Sequence, residues 1–156
     1  MQELPEDFQI LKWSPGYDKN YWIYATCGMS ENCNESGLEL HILSGCENDF
    51  LIELLTVIAH YHITENELGY GHTVNFGCPL CNGSMCKYGL ISLPYLDGSS
   101  LEWLNSDEKK IQFLWLIPIT QSERNFKKKN GLDALENLFE NEEFNYLDPF
   151  RKSVTD

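Results

Sequence analysis

The stretch Ile111–Thr120, IQFLWLIPIT, runs without a gap into Thr120–Gly131, TQSERNFKKKNG, and this junction decides the fold. A continuous apolar run rich in isoleucine, leucine and aromatic residues is the signature of a strand covered on both faces, central in its sheet. Pro118 has no N–H to give to a ladder, so it is expected to mark the point where that strand leaves the sheet. Thr120 and Glu123 stand at capping-box spacing and open a helix at once. Lys127–Lys129 fall in its last turn, where positive charge suits the helix dipole, and Asn130-Gly131 suit an αL stop. The next segment, NGLDALENLFE, begins a second helix with Leu132, Leu135, Leu138 and Phe139 on one stripe. In the tail, Asp148-Pro149 prevents further helix propagation.

Working back from the central strand, GHTVNFG and KYGLISLPY read as two short strands on either side of a cysteine-bearing loop. Before them, from Asn48 to Tyr61, Leu51, Leu54, Leu55, Ile58 and Tyr61 recur at spacings of three and four. Asn48 or Asp49 can cap this helix, which is apolar nearly all round and is expected to pack deeply against the sheet. LELHIL (Leu38–Leu43) alternates, with Leu38, Leu40 and Ile42 on one face and Glu39 and His41 on the other, as in an amphipathic strand. YWIYATCGMS (Tyr21–Ser30) has strand composition, and the polar SENCNESG joins the two as an antiparallel hairpin. The order of elements predicts a single α+β domain over residues 1–156, its core about 21–154, with a mixed or antiparallel sheet packed against helices.

A chain of 156 residues can bury a sizeable core with neither disulfides nor a structural metal. No apolar run approaches the roughly 20 residues that span a bilayer, and MQELPEDFQI lacks a signal-peptide pattern, so a soluble, cytoplasmic protein is expected. In that compartment the six cysteines stay reduced, and Cys27 and Cys46 read as small buried hydrophobes. The net charge of −13, from 24 acidic and 11 basic residues, repels phosphate backbones and attracts basic proteins. Direct nucleic-acid binding is thereby disfavoured. The short run Lys127–Lys129 does not overturn that balance.

The chemistry candidates lie mainly in GCPLCNGSMC (Gly77–Cys86). Cys78, Cys81 and Cys86 with a fourth ligand from His72, His60 or His62 would suit tetrahedral zinc. The spacing, however, supplies one close ligand couple where zinc motifs pair two, so a loop without metal is the preferred reading. A thioredoxin-like role is disfavoured because Pro79, Asn82 and Gly83 favour a turn over a helix start. His60 and His62, two apart, do not share a helix face. His72, after Gly71, suits a turn-holding hydrogen bond. No nucleophile elbow, phosphate loop, dinucleotide fingerprint or HExxH helix is present, so no catalytic residue and no cofactor is assigned.

YATCGMS, LELHIL, LLTVIAHYH, LGYGHTV, GLISLPY, FLWLIPITQSE, GLDALENLFE and YLDPFRKSV, in this order, resemble the suppressor of fused domain family in its small bacterial branch. The resemblance covers about Tyr21 to Val154 and implies a start shorter than in some members. Its loop pattern extends to Pro79, Gly83 and Ser84 but not to the three cysteines. It implies a cytoplasmic immunity protein, similar to the antitoxins of LXG-type polymorphic toxin systems, that binds a cognate toxin. Animal members hold a peptide by strand addition. The contacts implied here are Tyr61 and His72, with Asp97, Glu102, Asp107 and Glu108 flanking Trp103. The rival expectations are a zinc-stabilised regulatory or scaffold module and a hydrolase with an unrecognised site.

Overall fold

A computed structural model describes residues 3–31, 36–106 and 108–156. Its centre is the predicted apolar run, strand β7 (Lys110–Thr120), which is buried from Leu114 to Thr120. Leu114 and Leu116 pack in one apolar cluster, while Trp115, Ile117 and Ile119 pack in a second on the opposite face. The first half of β7 pairs in parallel with β3 (Ser36–Ser44), and its second half pairs antiparallel with β5 (Cys86–Ser92). With β1 (Gln9–Trp13), β2 (Trp22–Cys27), β4 (Thr73–Asn75) and β6 (Trp103–Asn105) the sheet has seven strands. Their order is β1-β2-β3-β7-β5-β4, with β6 on β7 beside Lys110–Gln112. The mixed α+β architecture and the β2–β3 hairpin are those expected. Strands β1 and β6 are additions, and β1 precedes the predicted core.

Helix α1 (Phe50–Thr64) fills the first face with Leu51, Leu54, Leu55, Ile58 and Ala59 against Tyr24, Leu40, Ile42 and Leu114. Asn48 holds its start, its Oδ1 accepting from the Phe50 N–H at 3.1 Å; Asp49 makes no side-chain cap. Two expectations are corrected here. Tyr61 is 41% exposed and Val57 60%, so the helix has an outer face despite its apolar sequence. Cys46 is exposed in the turn after β3, and Cys27 is only partly buried.

Helices α2 (Gln121–Asn130) and α3 (Leu132–Asn141) cover part of the second face. The capping box forms as read: Thr120 Oγ1 accepts from the Glu123 N–H, and Glu123 Oε2 accepts from the Thr120 N–H. Gly131 ends α2 at φ 97°, with an extended ψ of 165° that turns the chain directly into α3. Pro118 does not end β7. The β3 ladder stops at Trp115, so from there β7 is paired on one side only and a missing N–H costs no bond to β3.

The tail closes the structure through Arg151, whose Nη1 and Nη2 donate to the two Glu123 carboxylate oxygens at 2.6 and 2.8 Å. Nη2 also donates to the Pro118 carbonyl at 3.0 Å, and both side chains are buried. One pair thus ties strand, helix cap and tail together. No helix among the described residues is long and apolar enough to cross a membrane.

Candidate functional site

The cysteine loop comes apart on folding. Cys86 is the first residue of β5 and fully buried, Cys78 is exposed, and Cys81 is intermediate. Burial pushes the Cys81 and Cys86 thiols up, so neither is a ready thiolate. Ser84 organises the loop: its hydroxyl donates to the Pro149 carbonyl and accepts from the Cys86 N–H. His72 Nδ1 accepts from the Gly69 N–H at 3.1 Å, as expected of a turn-holding residue. His62 Nδ1 likewise accepts from the Leu68 N–H. Among the described residues no group of three or more His, Cys, Asp and Glu side chains is arranged to hold a metal.

The residues read as partner contacts fall into two groups. Tyr61, on the last turn of α1, accepts at its hydroxyl from Asn66. His72 stands just before β4, an edge strand whose outer side has no partner among the described residues. The second group follows β5. Asp97 pairs with Lys19 at 3.1 Å, and Glu102 Oε2 accepts from the Gln112 amide. Trp103 lies opposite Gln112 on β6, 43% exposed, and Glu108 is exposed. Asp107 lies outside the described residues. Among the described residues no hydrogen bond or ion pair links one group to the other.

Sequence reasoning missed a large concavity. Helices α2 and α3 cover the sheet over β5 and the end of β7, and among the described residues the same face is left open over β1, β2, β3 and the start of β7. A groove of about 720 Å³ lies there, lined by Leu11, Ile23, Ala25, His41, Phe113 and, at its end, Asp97. Burial lowers the His41 pKa to about 4, so the imidazole is neutral at physiological pH. The turn from Pro94 to Asp97 divides this groove from a second hollow of about 520 Å³ beneath Tyr95, Trp115 and Tyr146. At the second, Glu136 accepts hydroxyl hydrogens from Ser92 and Tyr95 at 3.1 Å and from Tyr70 at 3.3 Å. The alternation in LELHIL placed His41 and Glu39 together, but nothing local told that their face is walled by β1, β2 and the Pro94 turn.

Comparison with known proteins follows from this architecture. Residues 5–152 match the family model described as "Suppressor of fused protein (SUFU)". No curated protein matches the chain. Among solved structures, a SUFU homologue from Neisseria gonorrhoeae FA 1090 is 33% identical, with a TM-score of 0.85 over 97% of this chain and 80% of that one. The Sufu–Fu complex structure is similar at 15% identity and TM-score 0.70, over 94% of this chain and 76% of that chain. Drosophila Suppressor of Fused gives 15% and 0.70, and there the match covers 42% of the longer chain.

Proposed function

The chain belongs to the suppressor of fused family, and from that premise we propose that it is a cytoplasmic immunity protein, neutralising a cognate toxin by binding it. It makes and breaks no covalent bonds in doing so. A family fold solved as a complex, Sufu with Fu, supports a protein-binding role. The observation that carries the choice of partner is the net charge of −13. A nuclease must present a positive surface to phosphates, and an acidic protein that covers it associates quickly under electrostatic steering. The partner of this chain is therefore a basic toxin, a nuclease in the reading we favour. The open edge of β4 offers unpaired backbone groups for strand addition, with Tyr61 and His72 at either end of the segment leading into it. Co-expression with the cognate toxin should restore growth to poisoned cells. A well-expressed, folded protein that fails to rescue would overturn the proposal.

A further inference from the structure

The open half-face is shaped for a helix. Four strands, β1, β2, β3 and the start of β7, give three inter-strand spacings, about 14 Å in all. A helix with its side chains is about 10–12 Å across. An extended segment laid on a sheet face would leave its own amides unpaired, whereas a helix satisfies them internally. On the adjoining part of this face α2 and α3 already do the covering.

Charge states what kind of helix fits. Among the described residues the groove is lined by Asp18, Glu31, Asp97 and the buried Glu39, while its one lysine, Lys19, is held by Asp97 at 3.1 Å. Trp13 and Leu101 stand exposed at its mouth, 47% and 58%. The His41 imidazole lines the groove without a hydrogen-bond partner among the described residues.

We propose that this groove receives an amphipathic helix of a basic polypeptide, its apolar stripe on Ile23 and Phe113 and its lysines or arginines toward Asp18, Glu31 and Asp97. A serine, threonine or asparagine within the stripe reaches His41. This rests on the reading that the molecule works by binding polypeptides, and it adds a second surface to the β4 edge.

The probe is a synthetic helix of about 18 residues, with leucines at i, i+3, i+4 and i+7, one threonine in that stripe and lysines elsewhere. Binding is followed by NMR on the histidine rings. The wild-type protein is expected to bind with a Kd on the order of 10 µM. The His41 resonances should shift while those of His60, His62 and His72 hold. Trp13→Ser with Leu101→Ser, both at exposed positions and so compatible with folding, should weaken binding about tenfold or more. A glutamate version of the peptide should not bind.

Absence of saturable binding, an unmoved His41, indifference to the double variant, or equal binding of a scrambled lysine peptide would each overturn the proposal. Self-association of the free protein that the double variant abolishes would assign the groove to a second copy and overturn it too. Peptide binding without rescue from the toxin would sink the immunity reading alone; rescue without peptide binding would sink this one alone.

Discussion

Burial is the main cause that lowers the His41 pKa to about 4, with Asp97 opposing and Lys19 adding slightly. An unfolded histidine titrates near 6.5, so above that pH folded and unfolded chains are both neutral here. As pH falls from about 6.5 toward 4, the unfolded chain takes up a proton that the folded chain refuses. Stability present above the unfolded value is thus lost in that window, by up to about 3 kcal/mol. His62, also lowered by burial, acts in the same direction. His41→Gln should flatten the acid limb of stability against pH in urea unfolding; an unaltered slope between pH 6.5 and 4 would show that the imidazole is not desolvated. His41 and its neighbour Glu39 also show what a residue pattern tells. Alternation correctly separated them from Leu38, Leu40 and Ile42, but an amphipathic strand predicts a wet outer face. Glu39 is instead buried, accepting from Thr26 Oγ1, from Ser30 Oγ and from the N–H groups of Gly28, Met29 and Ser30. Its donors come from another strand and the turn after it, which no spacing within LELHIL encodes. Tyr61 and His72, partner contacts implied by the resemblance, each make a local hydrogen bond.

Elements whose signals are local were legible: the capping box, the break between α2 and α3 and the apolar run of β7 all depend on residues close together in the chain. Strands β1 and β6 were not, because five and three residues are too few to establish a period. The Arg151–Glu123 pair was equally hidden, since its partners are 28 residues apart and meet only after α2 and α3 have folded back. Between β5 and β7 the fit depends on a missing side chain. A Cβ on Gly89 would stand 2.6 Å from Leu116 Cδ1 and 2.8 Å from the Phe76 ring. Gly89→Ala is therefore expected to cost about 1–3 kcal/mol, read from denaturant unfolding, through overpacking between β5 and the α1-side core. A change within error would mean that the Phe76 ring moves aside freely. The substitution lies away from the groove and should leave peptide binding intact.

At the scale of the whole molecule, the excess of acidic over basic residues makes association a salt-dependent event. The association rate constant with a basic partner should fall about tenfold or more between roughly 0.05 and 0.5 M salt, with dissociation changing less. Stopped-flow measurement checks this, and a flat salt profile would place the binding energy in apolar contacts instead. The family was legible in the sequence because eight short motifs keep their order along nearly the whole chain. The identity of a binding partner was not, because a partner leaves no pattern beyond charge. The β3–β7 pairing joins segments about 75 residues apart in parallel, and β7 is the strand on which β3, β5 and β6 all depend. During synthesis the earlier strands and α1 must therefore leave the ribosome without the element that organises them. Their apolar faces wait for β7, and the Arg151 clasp arrives later still. Assembly of the working surface is consequently a late event in the life of each new chain.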